Sequence, residues 1–459
     1  MKGDFSRDTF DKAKHFSRVL MQQGRVQLDA DWNEQASILL HYIRTLAEDL
    51  IGPYGGPEAN YGFEITPDGS DDFKIGAGRY YVDGILCQND ADKNHCKAKD
   101  NIEDIDKVLV KYKSQKFFPN PSDLNLAQEQ TYLVYLDVWE QHVTAIEDDA
   151  IREKALGGPD TASRARVVWQ VKVDDGKNGD EPLTPEYNNS KITNWDKWIN
   201  RWQPDHLGCL KARVKPSENS NDPCLTQPDA KYRGHENQLY RVEIHKPGAA
   251  GKATFKWSRD NGSVVTGCEL KGKNLIVYNP RGFFEKQWVE LTSEEQELRG
   301  EAGSFVIVVK VEADQLTLDK ELSIPNLPES EKEKWPTKVR GWDQYEKGKQ
   351  TLTNGAVPVI EGTDDNNWID LENGIQIQFQ PTVNKNHIYR TGDYWLIPAR
   401  VATGNIEWPV ESGKDGKPIP LPKPPDGIDH HYAPLAILKW KDNSWEKELD
   451  CRCFFKQRF

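Results

Sequence analysis

Two hydrophobic periods divide this chain. From Trp32 to Leu50 the apolar residues Trp32, Ala36, Leu39, Ile43, Leu46 and Leu50 recur at alternating spacings of four and three, which sets them on one stripe of a helix. Asp31 stands as its N-cap with Glu34 three positions on, and Gly52-Pro53 ends it. A shorter stretch, Thr9 to Gln22, predicts a preceding helix with Gly24 at the turn, so residues 1–62 read as an N-terminal helical hairpin behind a charge-rich opening, Lys2 to Lys14. The stripe has the spacing of a coiled-coil seam over about three heptads. It either packs the helix on the chain's own sheet or docks another subunit, and Trp32, Leu39, Ile43, Leu46 and Leu50 are the candidate docking residues.

After Tyr61 the period becomes two. Strands are predicted at Ile75–Leu86, Tyr132–Val143, Val167–Val173, Leu239–His245, Thr254–Arg259, Ser304–Val311, Ile375–Phe379, Tyr394–Val401 and Tyr432–Trp440, most of them rich in β-branched and aromatic residues. Tyr240, Val242 and Ile244 alternate with Arg241, Glu243 and His245, the pattern of a half-exposed antiparallel strand. Asn261-Gly262 then predicts a hairpin closing after Phe255 and Trp257. Long helices do not alternate with the strands, which excludes a Rossmann or TIM architecture. The expected fold is mainly β, several antiparallel sandwich- or barrel-like modules behind the helical hairpin.

Composition shifts suggest where modules end. Asp174–Asn194 and Asn326–Lys338 are polar or charged, and Ser412–Asp426 holds five Pro, which predicts an extended arm. These give a docking segment at 1–62, a β module at 63–175, a linker with a short helix at 176–236, and β modules at 237–330 and 331–459, the last with its Pro-rich arm at 412–426. In that linker Asn194 is placed to cap a helix whose Trp195, Trp198, Ile199 and Trp202 share a face, as a clamp on the core or as an exposed anchor.

A net charge of −13 disfavours a nucleic-acid partner, because phosphate backbones recruit clusters of Lys and Arg. No window reaches the length of an apolar membrane span, and MKGDFSRDTF carries no signal-peptide core, so a cytoplasmic protein is expected. The seven Cys, an odd number widely scattered, fit reduced thiols better than a disulfide framework.

Chemical motifs are sparse. Asp29-Ala30-Asp31-Trp32-Asn33 opens like a calcium loop, but Glu34 stands where that loop needs Gly, and Leu40 where it needs Glu. Asp364-Asp365-Asn366-Asn367 with Asp370 and Glu372 offers oxygens to a hard cation, though Asx-rich turns commonly form without one. His206, Cys209, Cys224 and His235, or Cys451 and Cys453 with His430 and His431, offer thiolate and imidazole without the C-x-x-C pairs of a zinc knuckle. Asp137 and Glu140 flank Trp139 like a glycosidase pair, but three residues apart in a strand they face opposite ways. P-loop, nucleophile-elbow and zincin signatures are absent. The expectation is therefore a non-catalytic protein with no cofactor and no metal.

The opening GDFSRDTF with QQGRVQLDADWNEQ resembles the N-terminal module of proteins encoded with phage-tail-like contractile injection systems. The blocks GRYYVDGILC, YLDVWEQHVTAIED, ALGGPDTASRARVVWQV, ENQLYRVEIH, FKWSRDNGSV, GDYWLIPARVATGNIEWP and HHYAPLAIL extend that likeness in order over most of the chain. The polar insertions Asn89–Asn101 and Ser412–Asp426 depart from it. The resemblance implies a structural component at the baseplate or tail-fibre end, partnered by other baseplate or fibre proteins within an assembled particle. Such particles are built from repeated interfaces, so a homo-oligomer is expected, with a trimer among the orders the short seam allows. A carbohydrate-binding or carbohydrate-cleaving accessory of the same particle is the alternative. Exposed Trp in a cleft would favour it, and buried Trp the structural reading.

Overall fold

The computed structural model describes residues 1–58, 61–90, 109–119, 121, 124, 126–177, 182–189, 191–204, 208–216, 231–346, 351–381, 387–413 and 416–456. Its architecture is mainly β, with antiparallel sheets, one closed barrel and a long N-terminal helix.

Thr131–Val143 is the longest strand, and its run of β-branched and aromatic residues is buried along most of its length. Arg164–Asp174 pairs with it from Arg164 opposite Val143 to Asp174 opposite Leu133. On its other edge lies His431–Lys441, followed by Ser444–Asp450. The sheet thus joins strands of residues 131–174 to strands of residues 431–450. One face of that sheet packs on short strands from Tyr54 to Lys111, around Phe63, Tyr80, Leu136, Trp169 and Trp445. Its other face takes the helix Trp195–Trp202, where Trp198 is fully buried with Leu133 and Ile437, and Trp202 stacks on Tyr135 with ring centroids 3.7 Å apart. The Trp-rich helix is a core clamp.

A second core joins the sheet of Thr254–Ser258, Gln238–Lys246 and Tyr394–Arg400 to the strands Cys209–Val214 and Ile375–Gln380. The third is a closed six-stranded barrel running from Val265–Lys271 to Lys338–Trp342, the pair of strands that closes it. The sheets therefore group the chain differently from the linear division expected at 62, 175, 236 and 330. Strand 338–342 belongs to the barrel of 265–318, and strands 431–450 belong to the sheet of 131–174.

The stretch Asn326–Lys338 is part of the barrel. Leu327 and Trp335 are buried in its core, and Trp335 Nε1 donates to Gln296 Oε1 at 2.7 Å. Nor is the Pro-rich segment an extended arm. Val410–Ser412 pairs with Pro418–Pro420, and the indoles of Trp408 and Trp395 donate to the carbonyls of Leu421 and Lys423. Buried Trp donors need acceptors, and these Pro-flanked carbonyls supply them. Asn261-Gly262 does turn with both residues in the left-handed region, φ 50° and 64°. The strands on either side, however, enter different sheets, so this turn carries the chain from the second core into the barrel and closes no hairpin.

Only one of the two expected N-terminal helices forms. It spans Asp29–Ile51 and begins two residues before the expected cap. Asp31 sits inside the first turn and accepts from the Leu28 N–H at 3.2 Å, and Gly52, φ 92°, ends the helix by donating to Glu48. In Thr9–Gln22 only Lys12–Lys14 makes a 3-10 turn, capped by Asp11 and stopped at His15 by its left-handed backbone. A stretch this short is marginal as an isolated helix. It runs instead as an arm beside Asp29–Ile51, with Thr9 Oγ1 donating to Glu34 at 2.6 Å and the Val19 N–H to Gln35 at 2.9 Å.

The helix touches the β body at few points. Arg44 forms a two-pronged ion pair with Glu140, at 2.8 and 3.3 Å. Beneath it the turn residue Gly84 lies so close that a Cβ would stand 2.1 Å from the Arg44 carbonyl oxygen, and its φ of 72° itself favours glycine. Gly84→Ala is expected to lift the helix off the body, at a cost of about 1–3 kcal/mol. Faster proteolysis between residues 8 and 52, with the remaining body intact, would show it. Unchanged cleavage would mean that the turn relaxes around the methyl group.

Candidate assembly surface

The five candidate docking side chains stand in water. Trp32 is 61% exposed, Leu39 52%, Ile43 61%, Leu46 60% and Leu50 76%, and Ala36 on the same stripe is exposed too. Within Asp29–Ile51 only Ala30 and Ile38 are buried. The chain's own sheet therefore does not cover the stripe. The helix turns toward the body and arm along a different line, through Ala30, Glu34, Ile38 and Arg44.

The arm extends the patch. Leu20 and Val26 are 69% and 84% exposed, with Phe16, Met21 and Leu28 also open. Of the twenty-six large apolar side chains exposed among the described residues, twelve fall between Phe16 and Leu50. Single exposed apolar residues are ordinary, whereas this clustering on one short segment makes it the candidate interaction surface.

Behind the helix, the very first residues are sewn into the body. The Met1 carbonyl accepts from Arg241 at 3.2 Å and Asn261 at 3.1 Å, the Gly3 carbonyl accepts from Asn261 at 2.9 Å, and Lys2 Nζ lies 2.9 Å from Glu243. Phe5 meets the His142 ring edge-on. The Ser6 carbonyl accepts from Arg400 at 3.2 Å and Arg7 pairs with Glu407 at 2.9 Å, so the separable part of the N-terminal segment starts after Arg7.

These contacts reach a buried ion cluster where the three cores meet. Arg241, Glu243 and His245 form the face of Gln238–Lys246 that the alternation suggests is solvated, yet each is 2% exposed or less. Lys256 Nζ lies 2.8 and 2.6 Å from the Glu290 oxygens and 3.3 Å from Glu243, and Arg241 Nε reaches Glu243 at 2.5 Å. Glu290 also accepts from Trp342 Nε1 at 2.9 Å and the Gly303 N–H at 3.1 Å. His245 Nδ1 is 3.3 Å from Glu290 without hydrogen-bond alignment. Beside them Lys338 bridges Glu147 and Glu297, at 2.9 and 2.5 Å, and Arg340 donates to the Gly262 carbonyl. Burial alone would raise the Glu243 and Glu290 carboxyls, but Lys2, Arg241 and Lys256 hold the first, and Lys256 and His245 the second, far below the usual range.

A cavity of about 270 Å³ opens against this cluster, bordered by Lys2, Trp139, Glu140, Arg340 and Tyr394. Much of the charge around it is already paired across the three cores. Asp137 is held by Lys172 at 2.6 Å and His430 at 2.7 Å, while Glu140 holds Arg44, so the two carboxylates beside Trp139 serve packing.

Among the described residues the candidate metal ligands do not converge. His206 and Cys224 lie outside the described residues, Cys209 is half-buried in a strand, and His235 is exposed. Cys451 is buried, His430 pairs with Asp137, and His431 pairs with Asp83 at 2.8 Å. In the Asx-rich turn Asp365 faces Arg213 at 3.5 Å, Asp370 accepts from Gln376, and Glu372 accepts from Tyr240 and Arg259. Among the described residues no group of three or more His, Cys, Asp or Glu is arranged to hold a metal ion.

Trp32 is the only exposed Trp of the fifteen. It lies on the helix, away from the cavity lining. The other fourteen are buried or half-buried, so the described surface carries no row of exposed Trp. Among the described residues no helix is long and apolar enough to cross a membrane.

A model of a family of unknown function, DUF6519, matches residues 1–192, 187–270 and 279–457. The chain belongs to this family. Its matched segments include the helix, the ion cluster and parts of all three cores, so the family pattern takes in the exposed helix together with the body that carries it. Comparison with curated proteins and with solved structures gives no match.

Proposed function

We propose that this chain is a structural, non-catalytic component of a phage-tail-like contractile injection particle, placed at the baseplate or tail-fibre end and acting by protein–protein assembly. The observation that carries the reading is the uncovered apolar stripe Trp32, Leu39, Ile43, Leu46 and Leu50 on a helix pinned to a rigid β body. An apolar helical face left in water is unfavourable alone and favourable once covered. The resemblance of the sequence blocks quoted above to proteins encoded with such particles suggests the particle context, and the interlocked cores suit a load-bearing part.

The test is co-purification with a sheathed tube particle. The wild-type chain is expected in the particle fraction, and a Leu39→Asp/Ile43→Asp variant, folded but with charges on the stripe, is expected to be absent from it. Recovery of intact particles free of the wild-type chain would overturn the proposal.

A further inference from the structure

We infer that the stripe is covered by the same helix of another copy of this chain, an inference that rests on the assembly reading above and names its occupant. The argument begins with spacing. Trp32, Ala36, Leu39, Ile43, Leu46 and Leu50 alternate by four and three without a break, and all six are exposed. A sheet or an irregular surface accepts any broad apolar helix face and does not require a strict repeat of 3.5 residues. A second helix carrying the same repeat does, because its knobs then enter matching holes along the whole contact. The helix has 23 residues, so at about 1.5 Å per residue the seam is on the order of 34 Å long.

Charge points the same way. The positions flanking this seam are Asn33, Gln35, Leu40, Tyr42, Ala47 and Asp49, and only Asp49 is charged. Identical helices therefore meet with little like-charge repulsion, although this helix carries five carboxylates. Residues 1–51 hold seven Lys and Arg against eight Asp and Glu, a net −1, while the whole chain carries −13. Two copies of so acidic a body repel each other, and the near-neutral helix and arm form the part through which copies can approach. Self-association through one patch is also the commonest way a soluble chain forms a closed oligomer.

The full chain at tens of micromolar should have a solution mass that is a multiple of 52.5 kDa, measured by sedimentation equilibrium. Leu39→Asp/Ile43→Asp should reduce it to a single chain mass with the far-ultraviolet circular dichroism of a folded chain, since both side chains are exposed in the single chain. Exposed Glu48→Lys, off the seam, should leave the oligomer intact and controls for charge alone. A single-chain mass for wild type, with Leu39→Asp/Ile43→Asp still lost from particles, would overturn the self-pairing while leaving the assembly role standing. An oligomer indifferent to Leu39→Asp/Ile43→Asp would overturn it as well, and if particle entry were also indifferent the stripe would have no assembly role.

Discussion

Glu290→Ala is expected to lower the stability of the chain by about 3–5 kcal/mol, the range for removing one partner of a buried ion pair. Glu290 lies where the barrel meets the second core and serves Lys256, the Trp342 indole and the Gly303 amide. Alanine would leave an ammonium with half its counter-charge and two N–H donors with none, in a place water does not easily reach. Lys256 would keep only Glu243, at 3.3 Å, which Lys2 and Arg241 already share. Denaturant titration of the full chain checks the loss. A Glu290→Met/Lys256→Met double variant should recover much of it, because a buried ion pair is often replaceable by apolar side chains of similar volume. A loss below about 1 kcal/mol for the single variant would mean that water or a neighbouring group replaces the carboxylate.

This cluster also shows where sequence reading stops. Period two located eight of the nine expected strands, and Thr131–Val143, Gln238–Lys246 and His431–Lys441 form within a residue of their expected limits; the ninth, Ile75–Leu86, is a hairpin in which Gly78–Val82 turns at Asp83-Gly84 into Ile85–Asn89. What alternation cannot supply is the medium on the polar face. Arg241, Glu243 and His245 look the same in sequence whether they face solvent or Lys2, Lys256 and Glu290, which come from three distant segments. The short barrel strands 274–277, 288–292 and 315–318 were illegible for a related reason, since four or five residues carry too little period to separate from a loop. Trp335 hid in a charged stretch because a single anchoring side chain has no period at all.

The candidate docking residues were legible because they lie in one continuous helix, where spacing alone decides which side chains share a face. The direction of that face was not. It is set by Arg44 reaching Glu140 and by Gly84 leaving room for the Arg44 backbone, pairings between residues 44, 84 and 140 that no local pattern encodes. Helix and body meet through a few polar contacts, so the apolar stripe remains available instead of being consumed by the chain's own fold.

Stability should stay nearly level as pH falls from about 6.5 to about 4.5 and then drop steeply. His142 and Asp260 oppose each other in the upper window, with burial lowering His245 in the sense of the first and raising Asp343, Glu372 and Asp393 in the sense of the second. Burial brings the His142 imidazole down from 6.5 to about 4, so its contribution is present above 6.5 and is lost as the pH falls toward 4. Burial, followed by the neighbouring Asp343 carboxylate, lifts Asp260 from 3.8 to about 6. A raised group contributes fully below its unfolded value and loses that contribution as pH rises through the folded one, so acidification between 6 and 3.8 relieves Asp260 while it penalises His142. Below about 4.5 the depressed carboxylates take over. Burial alone would raise Glu147, yet the Lys338 ammonium and the Thr144 hydroxyl hold it at about 2, a contribution on the order of 3 kcal/mol that disappears between 4.5 and 2. Glu243, Glu290 and Asp137 are displaced in the same direction by their own cations and add to the fall. Denaturation midpoints between pH 7.5 and 3 test this profile, and two variants separate its parts. Asp260→Asn should be more stable than wild type at pH 7 and should convert the plateau into a slope that begins near 6.5. His142→Asn should remove the opposing loss, so that stability rises slightly between 6.5 and 4.5 before it falls. A wild-type profile already falling steeply from pH 6.5, with both variants parallel to it, would mean that neither group titrates differently on folding.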